Sequence, residues 1–529
     1  MVVALYQIKT PKPMNKANTP LISAKIKVSA FIVVLLTIAR MSMAQVTLPF
    51  QIVNNSNFPD NQLYVTIVGE DLTGPPGNRV WIDCKTSTQK LMSPSYNTVA
   101  GPVYGGNKGP GTNGMYANCF TKLSDIPNKT VQLPPIQGCR VFISVGQQLY
   151  FYFFGSSGSP AGYTSPSHSD PTDPNKGIQY EIIELTSNQY GFWGNTTRVD
   201  SYNYAMGLEL FGNNNFYAKS GELKSHEDIG TAFKANVPTE FQGCFNSSNG
   251  SIIFPTKTEA WADGTIGTMP NIGPYVNYMK PYIDQIWEKY KNEDLIFNAG
   301  DAGVWKGRVV GEQLIMTAQS GGFTGRKGII DRRPTTQEAF EGKGVLDKVI
   351  QDAPTDLMIQ AQICAAITRH VIDVETPNVG QQNWSDPSKY YLKSPCNHYA
   401  KFWHQAGISY NQKSYGFAYD DVWDQSSTLH TPNPTKVIAT FGGFVSRVTG
   451  IEDNMNTSSS NKVYPNPSKD FVFVPENATQ IIIRSIDGKT WTVSKKENNS
   501  IDISTLPEGV YILQWSENEK VLAVKIVIN

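Results

Sequence analysis

Ile178-Gln-Tyr-Glu-Ile-Ile-Glu-Leu-Thr-Ser-Asn188, continued by Gln-Tyr-Gly-Phe-Trp-Gly-Asn-Thr-Thr-Arg-Val-Asp200, reads as two β-strands joined by a tight turn. Side chains alternate between the two faces of a strand. Ile178, Tyr180, Ile182, Glu184, Thr186 and Asn188 therefore share one face, apolar in its first half and polar in its second. A strand that leaves a core and enters a groove carries this pattern. Glu181 falls on the opposite face.

The hairpin carries two acids at its ends, Glu184 and Asp200, with Thr186, Asn188, Trp193 and Thr197 between them. Hydrolysis of a glycosidic bond by inversion needs one protonated carboxyl and one ionised carboxylate, roughly 6.5–9.5 Å apart so that a water fits between. Directly opposed cross-strand residues stand closer, about 5 Å apart, so the two acids must be offset. Trp193 is suited to stack on a sugar ring, and the Thr and Asn side chains to bond its hydroxyls. Thr197 and Asp200 are three apart, which strict alternation places on opposite faces. A bulge or bend is needed if both line one groove.

Other β-strands flank this hairpin. Leu48-Pro-Phe-Gln-Ile-Val53, Gln62 to Val68, Arg140 to Val145 and Gln148 to Phe154 are β-like runs separated by Gly, Asn and Pro. Their spacing indicates a sandwich or barrel. After about residue 215 the pattern changes. Tyr275–Tyr290, Asp356–Ile372 and Ser394–Gln405 carry helical periodicity, with strands at Asp294–Phe297 and Val304–Val310 between them. Strand character returns at Lys413–Tyr419 and Lys436–Phe441.

The two ends read as addresses. Lys25 and Lys27 precede the apolar run Ala30–Ala39, and Ser42-Met-Ala44 supplies small residues for cleavage, the form of a secretory signal peptide over 1–44. Near the other end, Glu452–Asn461 has the polar Ser/Asn composition of a linker. Short strands then follow Val463-Tyr-Pro-Asn-Pro467, include Pro507-Glu-Gly-Val-Tyr-Ile-Leu513, and close on Lys525-Ile-Val-Ile-Asn529.

Lysine plus arginine equals aspartate plus glutamate at 45 each, which argues against a nucleic-acid partner. Aromatic residues make up 11% of the chain, including 25 Tyr and 10 Trp, a supply suited to gripping sugar rings. Six cysteines in an exported chain permit disulfides, in any of 15 pairings. None forms a Cys-x-x-Cys pair. His398 and His404 are six apart, so neither a zinc ribbon nor a zinc-protease helix is indicated, and neither metal nor cofactor is expected.

The Glu184–Asp200 window resembles glycoside hydrolase family 64, the laminaripentaose-producing β-1,3-glucanases. The family pattern, Glu-x-Thr-x-Asn, then Trp, then Asn-[Ser/Thr]-Thr-x-Val-Asp, is met at every position. The likeness runs along about residues 46–445, through Ile283–Tyr290, Ile363–Arg369, Cys396–Ala400 and Tyr415–Asp421. The tail resembles the C-terminal sorting domain of the type IX secretion system. The resemblance implies a mainly β fold with an α/β part: a thaumatin-like β-barrel or sandwich, an inserted mixed α/β domain flanking a wide groove, and a small C-terminal Ig-like β-sandwich. It implies inverting hydrolysis of β-1,3-glucan to short laminari-oligosaccharides, with Glu184 as general acid and Asp200 as general base. Thr186, Asn188, Trp193 and Thr197 correspond to groove residues. The expected partners are the polysaccharide and the type IX machinery, the protein acting as a monomer, secreted or at the cell surface. The expected division is a signal peptide at 1–44, a catalytic region at 45–445, a linker at 446–461 and a sorting domain at 462–529. Within the catalytic region, a β-domain takes about 45–215 and 410–445, and an α/β domain about 216–409. The alternative reading is a glucan-binding protein of thaumatin type that holds the polymer without cutting it.

Overall fold

The computed structural model describes residues 47–445 and 463–529, apart from 76, 103–113, 157–158, 171, 266–268, 270, 464–466, 486–488 and 518–519. The leader at 1–44 and the linker at 446–461 lie outside the described residues. The chain divides into two compact units, Met1–Phe444 and Val445–Asn529.

The first unit holds two β-sheets face to face. One runs, in spatial order, Phe216–Gly221, Met206–Gly212, Pro434–Phe441, Leu48–Asn54, Thr130–Leu133. The other runs Leu429–Thr431, Gly191–Thr196, Tyr180–Asn188, Ile136–Val145, Leu63–Asp71, Arg79–Asp83, Thr88–Leu91. Alternate residues of both meet in one core: Phe50, Ile52, Leu208 and Val437 pack against Val65, Ile67, Val141, Ile183 and Leu185. Sheets packed through alternating inner faces make a sandwich. No closed barrel forms among the described residues, because the edge strands of the two sheets do not pair with each other.

The strand expected at Gln148–Phe154 forms only as Phe153–Ser156. Upstream of it, side chains take the place of a ladder: Asn175 Oδ1 accepts from Tyr150 N at 2.6 Å and Thr164 Oγ1 from Tyr152 N at 3.0 Å. Phe151 and Phe153 instead cover the outer face of the second sheet, on Phe142 and Tyr180.

Beyond the sandwich the chain builds a helical layer with its own core. The first sheet's edge strand runs on to Gly221, so this layer begins at His226 and not at about 216. Lys280–Asn292 carries a proline in its first turn and buries Tyr282, Ile283, Ile286, Trp287 and Tyr290 along one stripe. Ala353–Thr368 is mostly buried, and its apolar residues occur on all sides. Thr335 and Glu338 form a reciprocal capping box at the start of Thr336–Glu341. A five-stranded sheet, ordered Lys327–Ile330, Gln313–Ala318, Val304–Val310, Leu295–Asn298, Gln381–Asn383, completes the layer. The chain then returns to the sandwich, where Pro434–Phe441 pairs in parallel with Leu48–Asn54. The strand expected at Lys413–Tyr419 is a series of turns, since the Asp420 carboxylate accepts from Gly416 N at 2.8 Å and bends the backbone back on itself.

The second unit has a four-stranded sheet, Thr490–Thr492, Thr479–Ser485, Gly509–Glu517, Lys520–Ile528, and a separate pair, Phe471–Phe473 with Ser500–Asp502. Val472, Ile483, Ile501, Leu513 and Ile526 fill its core.

The disulfide expectation is not met. All six cysteines are free and buried, and burial pushes the thiols of Cys119, Cys364 and Cys396 up to about 12.

Candidate active site

The hairpin Tyr180–Asn188 and Gly191–Thr196 presents one face to the core and one to the outside. Ile183, Leu185 and Phe192 point into the sandwich. Glu184, Thr186 and Asn188 alternate with them, and Glu184 stands directly opposite Asn195 and Thr186 opposite Trp193. The turn is built by Asn188, whose Oδ1 accepts from Tyr190 N at 2.8 Å. Gly191 closes it at φ 132°, where a Cβ would come within 2.4 Å of Thr431 O.

The alternation problem at Thr197 and Asp200 is solved by an ending. The strand stops at Thr196, and Thr197 makes an isolated parallel bridge to Tyr415. Arg198 then turns fully inward, to 0% exposure. The chain bends through Val199 and Asp200 before Ser201–Tyr202 begins a new short strand. The bend leaves Asp200 exposed, and its carbonyl is fixed by Phe254 N at 3.0 Å.

Glu184, Thr197 and Asp200 line a single open recess, together with Arg140, Tyr180, Glu181, Ile182 and Ser201. Thr186, Asn188 and Trp193 do not line it. They continue along the same outer face of the hairpin toward its tip. Trp193 is stacked on His430, with ring centroids 4.4 Å apart and 15° between planes, so one of its two faces is taken by protein.

Arg140, on the neighbouring strand Ile136–Val145, is the charge partner of Glu184. Its Nε donates to Glu184 Oε1 at 3.0 Å, and Nη2 lies 3.0 Å from the same oxygen. Both groups are about one-third exposed. Burial opposes the Arg140 charge, yet Glu184, Tyr163 and Asp200 outweigh it and hold the guanidinium protonated. The field of Asp200 also reaches Tyr180, His168 and Lys343. His168 lies flat on the Tyr180 ring, 5.7 Å between centroids, and its Nε2 is 3.1 Å from the phenol oxygen. Burial holds His168 below its ordinary range, while Asp200 and Asp173 pull it back.

Three residues of the site were not singled out in the sequence. Arg140 pairs with Glu184 only through the register of two strands 44 residues apart. Tyr415 reaches Thr197 from the far end of the unit. Asn195 has a buried Oδ1 without a hydrogen-bond partner among the described residues; its place opposite Glu184 follows from the hairpin pattern alone. Asp420 is a structural group, fully buried between Arg369 at 3.0 Å and His404 at 2.9 Å. Among the described residues no cluster of three or more His, Cys, Asp or Glu side chains is arranged to hold a metal ion.

Comparison with known proteins matches this architecture. Residues 46–441 match the family model described as β-1,3-glucanase, glycoside hydrolase family 64. A β-1,3-glucanase domain of this family from Clostridium beijerinckii superposes with a TM-score of 0.64 at 31% identity, over 75% of this chain and 98% of that one. The laminaripentaose-producing β-1,3-glucanase of Paenibacillus barengoltzii shares the fold, with a TM-score of 0.53 at 24% identity over 75% of this chain and 76% of that one. A glucan endo-1,3-β-glucosidase from Cellulosimicrobium cellulans is 25% identical over 339 residues, 62% of this chain. That stretch spans 56% of the relative's own length. Residues 462–529 match a secretion system C-terminal sorting domain, the mark of type IX export to the cell surface or the extracellular space. With the family model covering nearly the whole first unit and a solved member superposing along almost its full length, the chain belongs to glycoside hydrolase family 64.

Proposed function

We propose that this chain hydrolyses internal β-1,3-glucosidic bonds by inversion, with Glu184 as general acid and Asp200 as general base, and releases short laminari-oligosaccharides. The observation that carries the reading is that the two carboxylates line one recess whose enclosed part admits about one water molecule. An inverting site needs that water on the far side of the sugar from the acid. Arg140 engages only Oε1 of Glu184, which leaves Oε2 to face the leaving oxygen. Asp200, open to solvent at its bend, takes the proton of the attacking water. Trp193, Thr186, Asn188 and Thr197 hold the glucan along the hairpin face. Family membership supports the linkage, and so do the names of the relatives, which are glucan endo-1,3-β-glucosidases and β-1,3-glucanases.

The same proposal takes the sandwich as thaumatin-like, with the helical layer as an inserted α/β domain across a wide groove, and the tail unit as Ig-like. It keeps the catalytic region at 45–445 and the linker at 446–461, and the protein acts as a monomer.

The test is proton NMR of the first sugar released from laminarin. Inversion gives an α anomer at early times, and an early β anomer refutes the mechanism. A wild-type protein that binds curdlan yet releases no reducing sugar is instead a glucan-binding protein.

A further inference from the structure

Behind the recess lies a charge cluster that no catalytic step uses. Arg198 is wholly buried, and its two carboxylate partners, Glu181 and Glu222, are 3% and 1% exposed. Nη1 of Arg198 donates to Glu181 Oε2 at 2.6 Å and to Thr197 O at 2.9 Å. Nε and Nη2 grip Glu222 in two parallel bonds, to Oε1 at 2.9 Å and Oε2 at 2.7 Å. Nη2 also faces Tyr204 O at 3.4 Å. Every N–H of the guanidinium thus has an acceptor. The carboxylates are satisfied in turn: Glu181 Oε1 accepts from Asn203 N and Tyr204 N at 2.6 and 2.7 Å, and Glu222 Oε2 from Met206 N at 2.7 Å. The Arg198 backbone is held as firmly. Its N–H donates to Tyr415 O at 2.9 Å, and its carbonyl accepts from Tyr399 OH at 2.7 Å.

The cluster joins the parts that carry the two acids. Glu181 is on the same strand as Glu184, three residues before it, and Arg198 is two residues before Asp200. Glu222 follows the edge strand of the first sheet, and Tyr399 comes from the helix His398–Trp403. A bidentate arginine–carboxylate bond fixes orientation as well as distance. A buried ion pair adds little net stability compared with apolar residues of the same shape, so its value lies in geometry. We propose that Arg198 is a positioning residue: anchored to Glu181 and Glu222, it sets the separation and orientation of the Glu184 and Asp200 carboxylates. The inference rests on the acid and base roles assigned above.

The experiment uses the full chain with Glu181→Gln and Arg198→Lys. A third variant, Arg198→Met with Glu181→Gln and Glu222→Gln, removes all three charges together, so that no lone buried charge prevents folding. Melting temperature establishes the folded fraction, and kcat and KM on laminarin are taken per folded molecule. The expected result is a kcat at least tenfold lower with KM within threefold, and Arg198→Lys less impaired than the neutral triple variant. A purely structural cluster lowers the melting temperature and leaves kcat per folded molecule within twofold, which overturns the proposal. If only the neutral variant folds, its kcat alone decides by the same limits. If none of the three folds, the cluster serves folding and the proposal is rejected. Loss of the underlying reading looks different: wild type is then inactive on laminarin, or Glu184→Gln and Asp200→Asn remain active.

Discussion

Arg140 directs two nitrogens, Nε and Nη2, at a single oxygen of Glu184, each at 3.0 Å. The carboxyl group is thereby oriented by one oxygen while the other remains available to a substrate. In the Arg140→Met variant that orientation is lost. We expect kcat on laminarin to fall about a hundredfold, equivalent to ~2.7 kcal/mol of barrier, with the melting temperature nearly unchanged because the pair is one-third exposed. Steady-state kinetics with a thermal melt check both halves.

Asp200 is the exposed member of the pair, and no other side chain among the described residues hydrogen-bonds to it. On the base role proposed for it, truncation to glycine opens the place of the attacking water without unpicking a network. Asp200→Gly should lose at least a thousandfold in kcat, and sodium azide should restore part of it by forming an α-glycosyl azide. Glu184→Gln should not be rescued by azide on laminarin, because the leaving group still needs its proton. Mass spectrometry of the products checks the outcome.

In the binding role proposed for it, Trp193 has one ring face for a sugar, since His430 occupies the other at 4.4 Å. Trp193→Ala should weaken polymer binding about tenfold, ~1.4 kcal/mol, in line with the worth of an aromatic contact. Its effect should fall on KM more than on kcat. Affinity electrophoresis in laminarin gels measures the first, and initial rates the second.

His398 is held near a pKa of about 4 by burial first and then by the charge of Lys401. The folded protein keeps the imidazole neutral, while the unfolded chain protonates it near 6.5. The unfolded state therefore binds more protons between those values. This contribution to stability is complete above about pH 6.5 and is lost as pH falls toward 4. Melting temperature should decline over that range, and His398→Gln should flatten the decline.

The six thiols are buried and free. Ellman's reagent should find none of them in the native protein within minutes and all six after denaturation. The native protein should melt at the same temperature with and without reductant.

The hairpin was legible because two strands with one face in a core must alternate. Ile183 and Leu185 went inward, which fixed Glu184, Thr186 and Asn188 outward. What stayed hidden was the route from Thr197 to Asp200. Its explanation is a buried arginine whose partners stand 17 and 24 residues away, and no local period encodes such a pairing. Glu181 falls on the face opposite Glu184, and that face is what buries it against Arg198. Arg140 was hidden for a similar reason: cross-strand register joins residues 44 apart. The Lys413–Tyr419 segment misled because its strand-like composition lost to a carboxylate that captured the backbone of Gly416. The helix at Lys280–Asn292 was plain, since its burial follows the turn of the helix, whereas Ala353–Thr368 is buried on nearly every side of its last two turns and carries no single stripe.

The parallel pairing of Leu48–Asn54 with Pro434–Phe441 makes the catalytic unit a loop clasped at its own ends. A nascent chain cannot finish the first sheet until Phe441 has emerged, and closures of that span are slow. The first sheet thus stays open for most of the chain's synthesis, and its closure waits on the last strand to be made.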